Sequence, residues 1–534
     1  MGLLFIFITC DDFAVSASEL NVQPKIRVKH LVQSAGILMA AFLVNKVLAI
    51  GRQIVIARAF GTGSDYDAFV AAFRLPDILF MLIAGGALGT AFIPILSQRL
   101  SDRPDRDPEG WHLTSSVLNS LLLATGAIAA VAAILALPLI QWLVAPGFDP
   151  ELSRLTASLM QLTLISTVIF SVSSLLGAVL HTRQHFFLPA LAPLVYNGGI
   201  IVGALYLVPV WGIYGLVWGA ILGALGHLLI QVPALLRFNF RYQIRTDWSD
   251  PDLRHILRLM GPRVLNIMVI QVNFVVMFNL ASRLGEGGVS ALDYGWDLMQ
   301  MPQTIIGSAI GIVLFPTLSE LAARGDIPAL RQTMAQALRI ILAMAVPAMV
   351  GLLVLGRPII QLLFERGEFG PDSTAAVYRS LQFWALALIS HCALEVVNRV
   401  FYAQKDTITP LLSSVASMVI NLGLALALYQ PLGAGGLALS NAVAVTVEVL
   451  IMLVIAHRRM GGVEAGAVAG TMALTLLAAG AMGLAVVSFT RLWPELSPLY
   501  LAAGGGALGL LTYVTAGLLL GVKEIRLIPR LVGR

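Results

Sequence analysis

Charged residues and chemically reactive motifs are scarce in this chain. Only 12% of its 534 residues are Asp, Glu, Lys or Arg, against about 25% in a typical soluble domain. The sequence contains no Walker A loop, HExxH, CxxC pair or nucleophile elbow. Its two cysteines, Cys10 and Cys392, lie far apart, and neither has a partner at metal-ligand spacing. These absences argue against an enzyme, a cofactor and a metal site.

Dense clusters of positive charge are also missing. The formal net charge is +5 and the pI is about 9.3, but the basic residues are scattered between apolar segments. This pattern predicts no nucleic-acid partner. Hydrophobic residues, by contrast, make up 58% of the chain, and the mean hydropathy is +0.86. We therefore predict an all-α integral membrane protein, since helices satisfy their own backbone hydrogen bonds in lipid.

Apolar segments long enough to cross a bilayer recur from residue 31 to residue 520 and number about fourteen. The N-terminus, the even-numbered loops and the C-terminus hold 21 Lys and Arg residues, whereas the odd-numbered loops hold 6. Because positively charged loops stay on the cytoplasmic side, this asymmetry predicts that both termini are cytoplasmic. The apolar run MGLLFIFITC at the start is too short to span, so residues 1–30 are interpreted as an extension.

An internal repeat organises the chain. GGALGTAFIPILSQ at 85–98 matches GSAIGIVLFPTLSE at 307–320, and VLHTRQHFFLPAL at 179–191 parallels VFYAQKDTITPLL at 400–412. The spacing of about 221 residues contains six predicted spans, which predicts two six-helix lobes in the same orientation, a parallel repeat, around a central cavity. The predicted organisation is a cytoplasmic extension at 1–30, an N-lobe at 31–236, a cytoplasmic linker at 237–254, a C-lobe at 255–456, two further helices at 465–520 and a basic cytoplasmic tail at 521–534.

Six charged residues fall within the first two predicted spans: Lys46, Arg52, Arg58, Asp67, Arg74 and Asp77. A charge at the centre of a membrane helix costs about 2.5–3.5 kcal/mol on insertion scales, so it usually faces a protein interior or a watery cavity. Asn45 and Arg52 share a helix face, whereas Lys46 and Arg52 point about 240° apart unless the helix bends. These residues predict a polar path through the membrane. The alternative for Arg74 is a position near a helix end, with its charge at the interface.

The second half of the chain carries a different set of intramembrane charges: Asp293, Asp297, Glu395 and Arg399. Glu395 and Arg399 are four residues apart, which predicts an ion pair on one helix. Asp293 and Asp297 also share a face, where like charges repel unless a cation, a bound ion or solvent lies nearby. The contrast with the cationic first half suits either a latch between the lobes or an anionic ligand held mainly by the N-lobe.

Eight segments spread across the chain carry a family resemblance. They read GRQIVIARAFGTGSDYDAF at 51–69, FRLPD at 73–77, GGALGTAFIPILS at 85–97, APGF at 145–148, RQHFFLPALAPLVYN at 183–197, FPTLS at 315–319, LFERGEF at 363–369 and FYAQKDTITP at 401–410. In these segments the chain resembles the MurJ lipid II flippase family of the multidrug/oligosaccharidyl-lipid/polysaccharide exporter superfamily. The resemblance implies a V-shaped cavity between two lobes, a hydrophobic groove on the last two helices, and alternating access. The implied cargo is lipid II, an undecaprenyl-pyrophosphate-linked disaccharide peptide.

The resemblance also implies roles for individual residues. Lys46 and Arg52 match cationic substrate-binding positions and Asp67 matches an acidic one, and we add Arg74 to this predicted set. The predicted cavity or inter-lobe charges are Asp293, Asp297, Glu395 and Arg399. The chain departs from the family pattern at four positions, with Phe80 and Asp297 where Arg is expected and Gly85 and Gln300 where Glu is expected.

The leading hypothesis is a flippase for the lipid-linked peptidoglycan precursor in the bacterial inner membrane. Its expected partners are lipid II and membrane lipids, with cell-wall synthesis proteins as further candidates. The alternatives are a flippase for another polyprenyl-linked oligosaccharide, a drug or cation antiporter of the same superfamily, and a non-transporting scaffold for cell-wall synthesis. The cationic first-lobe helices argue against a cationic drug, and a scaffold would tolerate the loss of Arg52.

Overall fold

The computed structural model describes residues 44–83, 92–100, 108–244 and 246–526, without the side chains of 83, 108–109, 259–263, 265–266, 269–270 and 526. All regular secondary structure in these ranges is helical, which confirms the predicted all-α membrane fold. The predicted extension at 1–30, Gly85 and most of the predicted tail at 521–534 lie outside the described residues.

The long helices follow one another with short connections. In chain order they are α1 (44–60), α2 (Ser64–Ile83), α3 (Ile93–Arg99), α4 (Pro108–Ile134), α5 (Pro150–Thr182), α6 (Phe187–Trp211), α7 (Ile213–Arg237), α8 (Pro251–Ala281), α9 (Gly288–Ala323), α10 (Ile327–Phe364), α11 (Pro371–Ala403), α12 (Ile408–Leu432), α13 (Ala434–Met460), α14 (Ala465–Leu492) and α15 (Pro498–Leu519). Eleven of them, α4 to α7 and α9 to α15, are long and apolar enough to cross a membrane. The three remaining predicted spans coincide with α1, with α2 plus α3, and with α8, so helices lie at all fourteen predicted positions.

Aspartate and proline mark the start of several helices. The Asp149 carboxylate accepts hydrogen bonds from Glu151 N and Leu152 N at the start of α5, and Pro150 occupies the first helical position. Asp250 caps α8 in the same way, again directly before a proline. Because the first N–H groups of a helix lack intrahelical acceptors, and because proline has no N–H to leave unpaired, this pairing defines where a helix begins.

The backbone confirms the internal repeat. Helices α5 and α11 each contain 33 residues, and both end in a turn with a left-handed residue that is not glycine, Gln184 (φ 55°) and Lys405 (φ 61°). Gly212 (φ 56°) and Gly433 (φ 59°) likewise precede α7 and α13. A positive φ is uncommon outside glycine, so its recurrence at the spacing of about 221 residues is strong structural support for duplication.

The described residues divide into two compact units. The N-terminal unit contains residues 44–290 together with Arg366–Gly370, and the C-terminal unit contains Ala291–Glu365 and the chain from Pro371 onward. This division falls inside α9, and the predicted lobes with a linker at 237–254 remain a prediction. Helix α8, predicted to begin the C-lobe, packs in the N-terminal unit, where Asp250 at its start pairs with Arg99 through two hydrogen bonds of 2.9 Å.

Glycines bring α6 and α7 together inside the N-terminal unit. Gly199 and Gly203 on α6 lie opposite Gly223 and Gly219 on α7, and a Cβ added at Gly199 would come within 2.4 Å of the Gly223 Cα. Small residues spaced four apart let two membrane helices approach closely, so that van der Waals contact replaces the hydrophobic effect that lipid cannot supply. This packing fixes the position of α6, which carries part of the site described below.

In the C-terminal unit, α14 and α15 pack on α10. Leu342 and Val346 of α10 share a buried cluster with Met482 and Val486 of α14. The Tyr513 hydroxyl of α15 donates a hydrogen bond of 2.7 Å to a backbone carbonyl of α10. The two helices predicted at 465–520 therefore form one layer on this unit.

Candidate substrate-binding site

Arg52 is the centre of a polar group that joins α1 to α6. One guanidinium nitrogen donates to Asn197 Oδ1 at 3.0 Å, and Asn197 Nδ2 donates to Asn45 Oδ1 at 2.9 Å and to the Pro193 carbonyl at 3.1 Å. Asn197 is only 5% exposed. Because Asn45 and Arg52 both meet Asn197, the prediction that they share one face of α1 is confirmed.

The guanidinium of Arg52 has more N–H donors than Asn197 can accept from. It carries five N–H donors, and its buried Nε has no partner among the described residues. Asn197 holds one edge of the group and so sets its orientation. The arrangement can therefore present a fixed, partly desolvated positive charge to an anion.

Lys46 lies on the same helix as Arg52, six residues earlier. Helix α1 is continuous from residue 44 to residue 60, through Gly51. Lys46 is exposed, whereas Arg52 is half-buried. The role assigned to Lys46 in substrate binding remains a prediction.

Arg74 lies against aromatic rings of α8. Its guanidinium carbon is 3.7 Å from the centroid of Phe278 and 5.7 Å from that of Phe274. These two phenylalanines are four residues apart and therefore share one face of α8. A cation over aromatic faces gains roughly 0.5–2 kcal/mol, so this contact helps to join α2 to α8. The role assigned to Arg74 in substrate binding remains a prediction.

Asp67, predicted to bind substrate, is instead buried in a structural contact. It is 1% exposed, and its two carboxylate oxygens accept hydrogen bonds of 2.7 Å from Gly287 N and Ser290 N and a further bond from the Ser290 hydroxyl. These donors form the first turn of α9, where backbone N–H groups lack intrahelical acceptors and the helix dipole favours an anion. The carboxylate therefore caps a helix more than 200 residues away in sequence, and the role assigned to Asp67 in substrate binding remains a prediction.

Loops from four parts of the chain meet around this cap. Glu368 N donates to the Arg58 carbonyl at 3.0 Å, and Ser64 N donates to Glu286 Oε1 at 3.1 Å. Gly147 N donates to the Ser282 hydroxyl at 3.1 Å. A Cβ at Gly367, which has φ +63°, would lie 2.3 Å from the Arg58 carbonyl oxygen, so only glycine fits there. We name this set of contacts around Asp67 the outer cluster, because the charge asymmetry predicts that these odd-numbered loops lie outside the cytoplasm.

The C-terminal unit contains the predicted ion pair. Arg399 and Glu395 of α11 form a salt bridge, and Ser308 of α9 donates to Glu395 Oε1 at 3.4 Å. Both charged residues line a cavity of about 330 Å³ in this unit. Asp293 and Asp297 are each half-buried on α9 and do not line that cavity, so their role as cavity or inter-lobe charges remains a prediction.

The comparison with known families decides the classification. The family model "Lipid II flippase MurJ" matches residues 56–503. The chain belongs to the MurJ lipid II flippase family. A curated relative from Rhizobium tropici, "Probable lipid II flippase MurJ", is 28% identical over 506 residues, which cover 92% of this chain and 94% of the relative.

Solved structures support the same fold for this MurJ family member. A structure titled "Lipid II flippase MurJ, inward closed conformation" matches with a TM-score of 0.76 and 23% identity, over 90% of this chain and 97% of the other. A multidrug resistance MATE family transporter of the MOP superfamily matches with a TM-score of 0.67 and 17% identity, over 78% of this chain and 94% of the other. At these identities the likeness concerns the fold alone.

Two departures from the MurJ family pattern can now be placed. Phe80 packs its ring 5.3 Å from that of Phe170 on α5, so an apolar contact occupies the position where the resemblance implies Arg. Asp297 is half-buried on α9, one residue after Trp296, whose ring lies against Trp384. Asn197, by contrast, was not predicted as a site residue. In the sequence it stands out only as a lone amide within the apolar segment LAPLVYNGGIIV.

Proposed function

We propose that this chain is a lipid II flippase of the bacterial inner membrane, which carries the lipid-linked peptidoglycan precursor from the inner to the outer leaflet by alternating access. The observation that carries the proposal is the Arg52 guanidinium, held by Asn197 within the helix bundle of a MurJ family member. Arginine suits a pyrophosphate because its planar fork forms paired, charge-assisted hydrogen bonds with phosphate oxygens. Attraction between these charges strengthens as water is excluded.

The supporting residues give Arg52 a defined orientation. Asn197 accepts from the guanidinium and donates to Asn45 and to Pro193, so its amide cannot rotate without losing these bonds. An arginine fixed in this way loses less side-chain entropy when the substrate binds. We assign Arg52 to the pyrophosphate and Asn197 to the positioning of Arg52.

The outer cluster is the element that would change during transport. Alternating access requires contacts that hold one side closed and that separate when that side opens. The three hydrogen bonds of Asp67 and the close glycine contacts at Gly147 and Gly367 suit this task, because they join loops rather than helix cores. Asp67 thus acts on conformation rather than on the substrate.

Several finer assignments belong to the same proposal. Both termini lie in the cytoplasm, as the distribution of Lys and Arg indicates. The layer formed by α14 and α15 holds the lipid tail, and exposed side chains such as Leu484 (73%) and Leu511 (66%) offer it an apolar surface. Membrane lipids surround the helices, and cell-wall synthesis proteins are candidate partners.

Complementation of a strain depleted of its own lipid II flippase tests the proposal. Wild type should restore growth, and Arg52→Ala at equal membrane abundance should not, because the cation is lost. Arg324→Ala is the matched control, since the Arg324 side chain is 70% exposed and pairs with Glu320, four residues earlier. Rescue by Arg52→Ala equal to that by wild type would overturn the assignment of Arg52.

The same experiment separates the alternatives. If well-expressed wild type fails to restore growth, the lipid II assignment fails, and a flippase for another polyprenyl-linked oligosaccharide takes its place. Transport of labelled lipid II by purified protein in vesicles distinguishes a flippase from a scaffold, because a scaffold would move no substrate.

A further inference from the structure

A second polar cavity lies inside the N-terminal unit, enclosed by α2, α5, α6 and α7. Its volume is about 200 Å³, and aromatic side chains form much of its wall. Phe170 is central, with ring centroids 5.3 Å from Phe80, 4.8 Å from Tyr196 and 5.2 Å from His227. The volume is below the roughly 300–1,000 Å³ of sites for drug-sized ligands. The cavity is therefore suited to a single ring.

His227 adds an imidazole ring to this wall. Gln231 Nε2 donates to Ser173 Oγ at 2.8 Å, and Ser173 Oγ lies 2.7 Å from His227 Nδ1. Ser173 Oγ accepts from Gln231 and keeps one lone pair and one hydrogen, so it either donates to or accepts from His227 Nδ1, and Nε2 of the neutral imidazole is then a donor or an acceptor respectively. That Nε2 has no hydrogen-bond partner among the described residues.

Acceptors complete the lining. The carboxylate of Asp77 and the hydroxyl of Tyr196 lie at the cavity, and the Tyr196 hydroxyl has no partner in the described part of the chain. Ser166 and Thr167 line the cavity as well, and their hydroxyls donate to backbone carbonyls, which leaves oxygen lone pairs to accept. The cavity thus combines aromatic faces with an imidazole, a phenol hydroxyl and several acceptors.

A sugar ring has the complementary chemistry. Its C–H faces pack on aromatic rings, and its hydroxyls both donate and accept hydrogen bonds. An organic cation would also meet the aromatic faces and Asp77. The neighbouring Arg52 would repel such a cation. A carbohydrate is therefore the favoured occupant.

The cavity adjoins the Arg52 group through α6. Pro193 lines the cavity, and its carbonyl accepts from Asn197, the residue that holds Arg52. About one helical turn, roughly 5.4 Å, therefore separates the two features along α6. In a glycosyl pyrophosphate the first sugar is bonded directly to phosphate, so a guanidinium and a ring-sized cavity at this spacing match adjacent parts of one headgroup.

We propose that this cavity is the subsite for one sugar ring of the lipid-linked headgroup. The inference rests on the proposed function and adds the residues that recognise the glycan. Phe80 supports a sugar subsite in particular, because it supplies an aromatic face at a position where the family resemblance implies a cation.

Binding of two lipids by full-length protein in lipid nanodiscs tests the subsite. The probes are lipid II and undecaprenyl pyrophosphate, which shares the pyrophosphate and the tail but lacks sugar. Wild type should bind lipid II more tightly. Tyr196→Phe and Phe80→Leu should each lower the affinity for lipid II by about three- to tenfold, the effect of one lost hydrogen bond or ring contact. Their affinity for undecaprenyl pyrophosphate should stay unchanged, which also shows that the variants are folded.

Tyr206→Phe is the matched control, because Tyr206 is on the same helix and 70% exposed. It should bind both lipids as wild type does. The subsite is overturned if the two cavity variants keep full affinity for lipid II, or if wild type binds both lipids equally, and the flippase assignment survives either result. If wild type binds neither lipid, the proposed function itself fails, and the subsite falls with it.

Discussion

Replacing Asp67 by Asn should open the outer cluster. The substitution keeps the side-chain shape and leaves Oδ1 to accept from Ser290, but it places an NH₂ group where Oδ2 accepts from Gly287 N. One charge-assisted hydrogen bond is lost, a buried N–H is left without an acceptor, and the anion at the start of α9 disappears. Together these losses cost about 2–4 kcal/mol. The cost falls on the closed arrangement only, so the open fraction should rise about 30- to 700-fold.

Cysteine accessibility measures this change. Val289 lies beside the cap and is 0% exposed, so Val289→Cys, in a chain with Cys10→Ser and Cys392→Ala, reacts with a membrane-impermeant maleimide only when the cluster opens. Asp67→Asn should accelerate labelling of intact cells in proportion to the open fraction. Asp65→Asn is the matched control, because Asp65 belongs to the same first turn of α2 but is exposed.

Two results would refute this reasoning. Labelling that does not change with Asp67→Asn would mean that the carboxylate does not hold the cluster closed. Equal acceleration by Asp65→Asn would mean that negative charge near the loop, rather than the buried cap, controls access.

Three further predictions concern packing and charge. Gly199→Ala should lower the melting temperature in detergent, because overpacking costs about 1–3 kcal/mol, whereas Gly198→Ala, with open space around it, should not. Arg74→Gln and Phe278→Leu should be non-additive in stability by about 1 kcal/mol, and additive losses would contradict the stacking. Burial raises the pKa of Asp406, but hydrogen bonds from Thr409 and Arg459 outweigh this effect and lower the pKa below its ordinary value. The ionised carboxylate therefore stabilises the fold at pH values above about 4, the ordinary pKa of Asp. Asp406→Asn should therefore be less stable than wild type from pH 5 to 8, and the difference should shrink below about pH 4; a constant difference in melting temperature would contradict this.

Local features of this chain could be predicted from sequence alone. Hydropathy placed the fourteen spans, because a membrane helix needs a minimum length of apolar residues wherever it lies in the fold. The ion pair of Glu395 and Arg399 and the shared face of Asn45 and Arg52 follow from helical periodicity over one or two turns. The repeat was visible because duplicated turns keep similar residues, and the left-handed backbone at Gln184 and Lys405 shows that the turns also keep their conformation.

The partners of the polar residues were decided only by the tertiary structure. Periodicity specifies the face on which a side chain lies but not the helix that meets this face. The sequence alone therefore did not show that the Asp67 carboxylate meets the start of α9, or that the Arg74 guanidinium lies over the ring of Phe278. Asn197 drew no attention in an apolar segment, yet glycine packing of α6 on α7 holds the helix that carries it, and this brings the amide to Arg52. Contacts between residues more than 100 positions apart depend on how helices pack, and a single sequence contains no direct record of that packing.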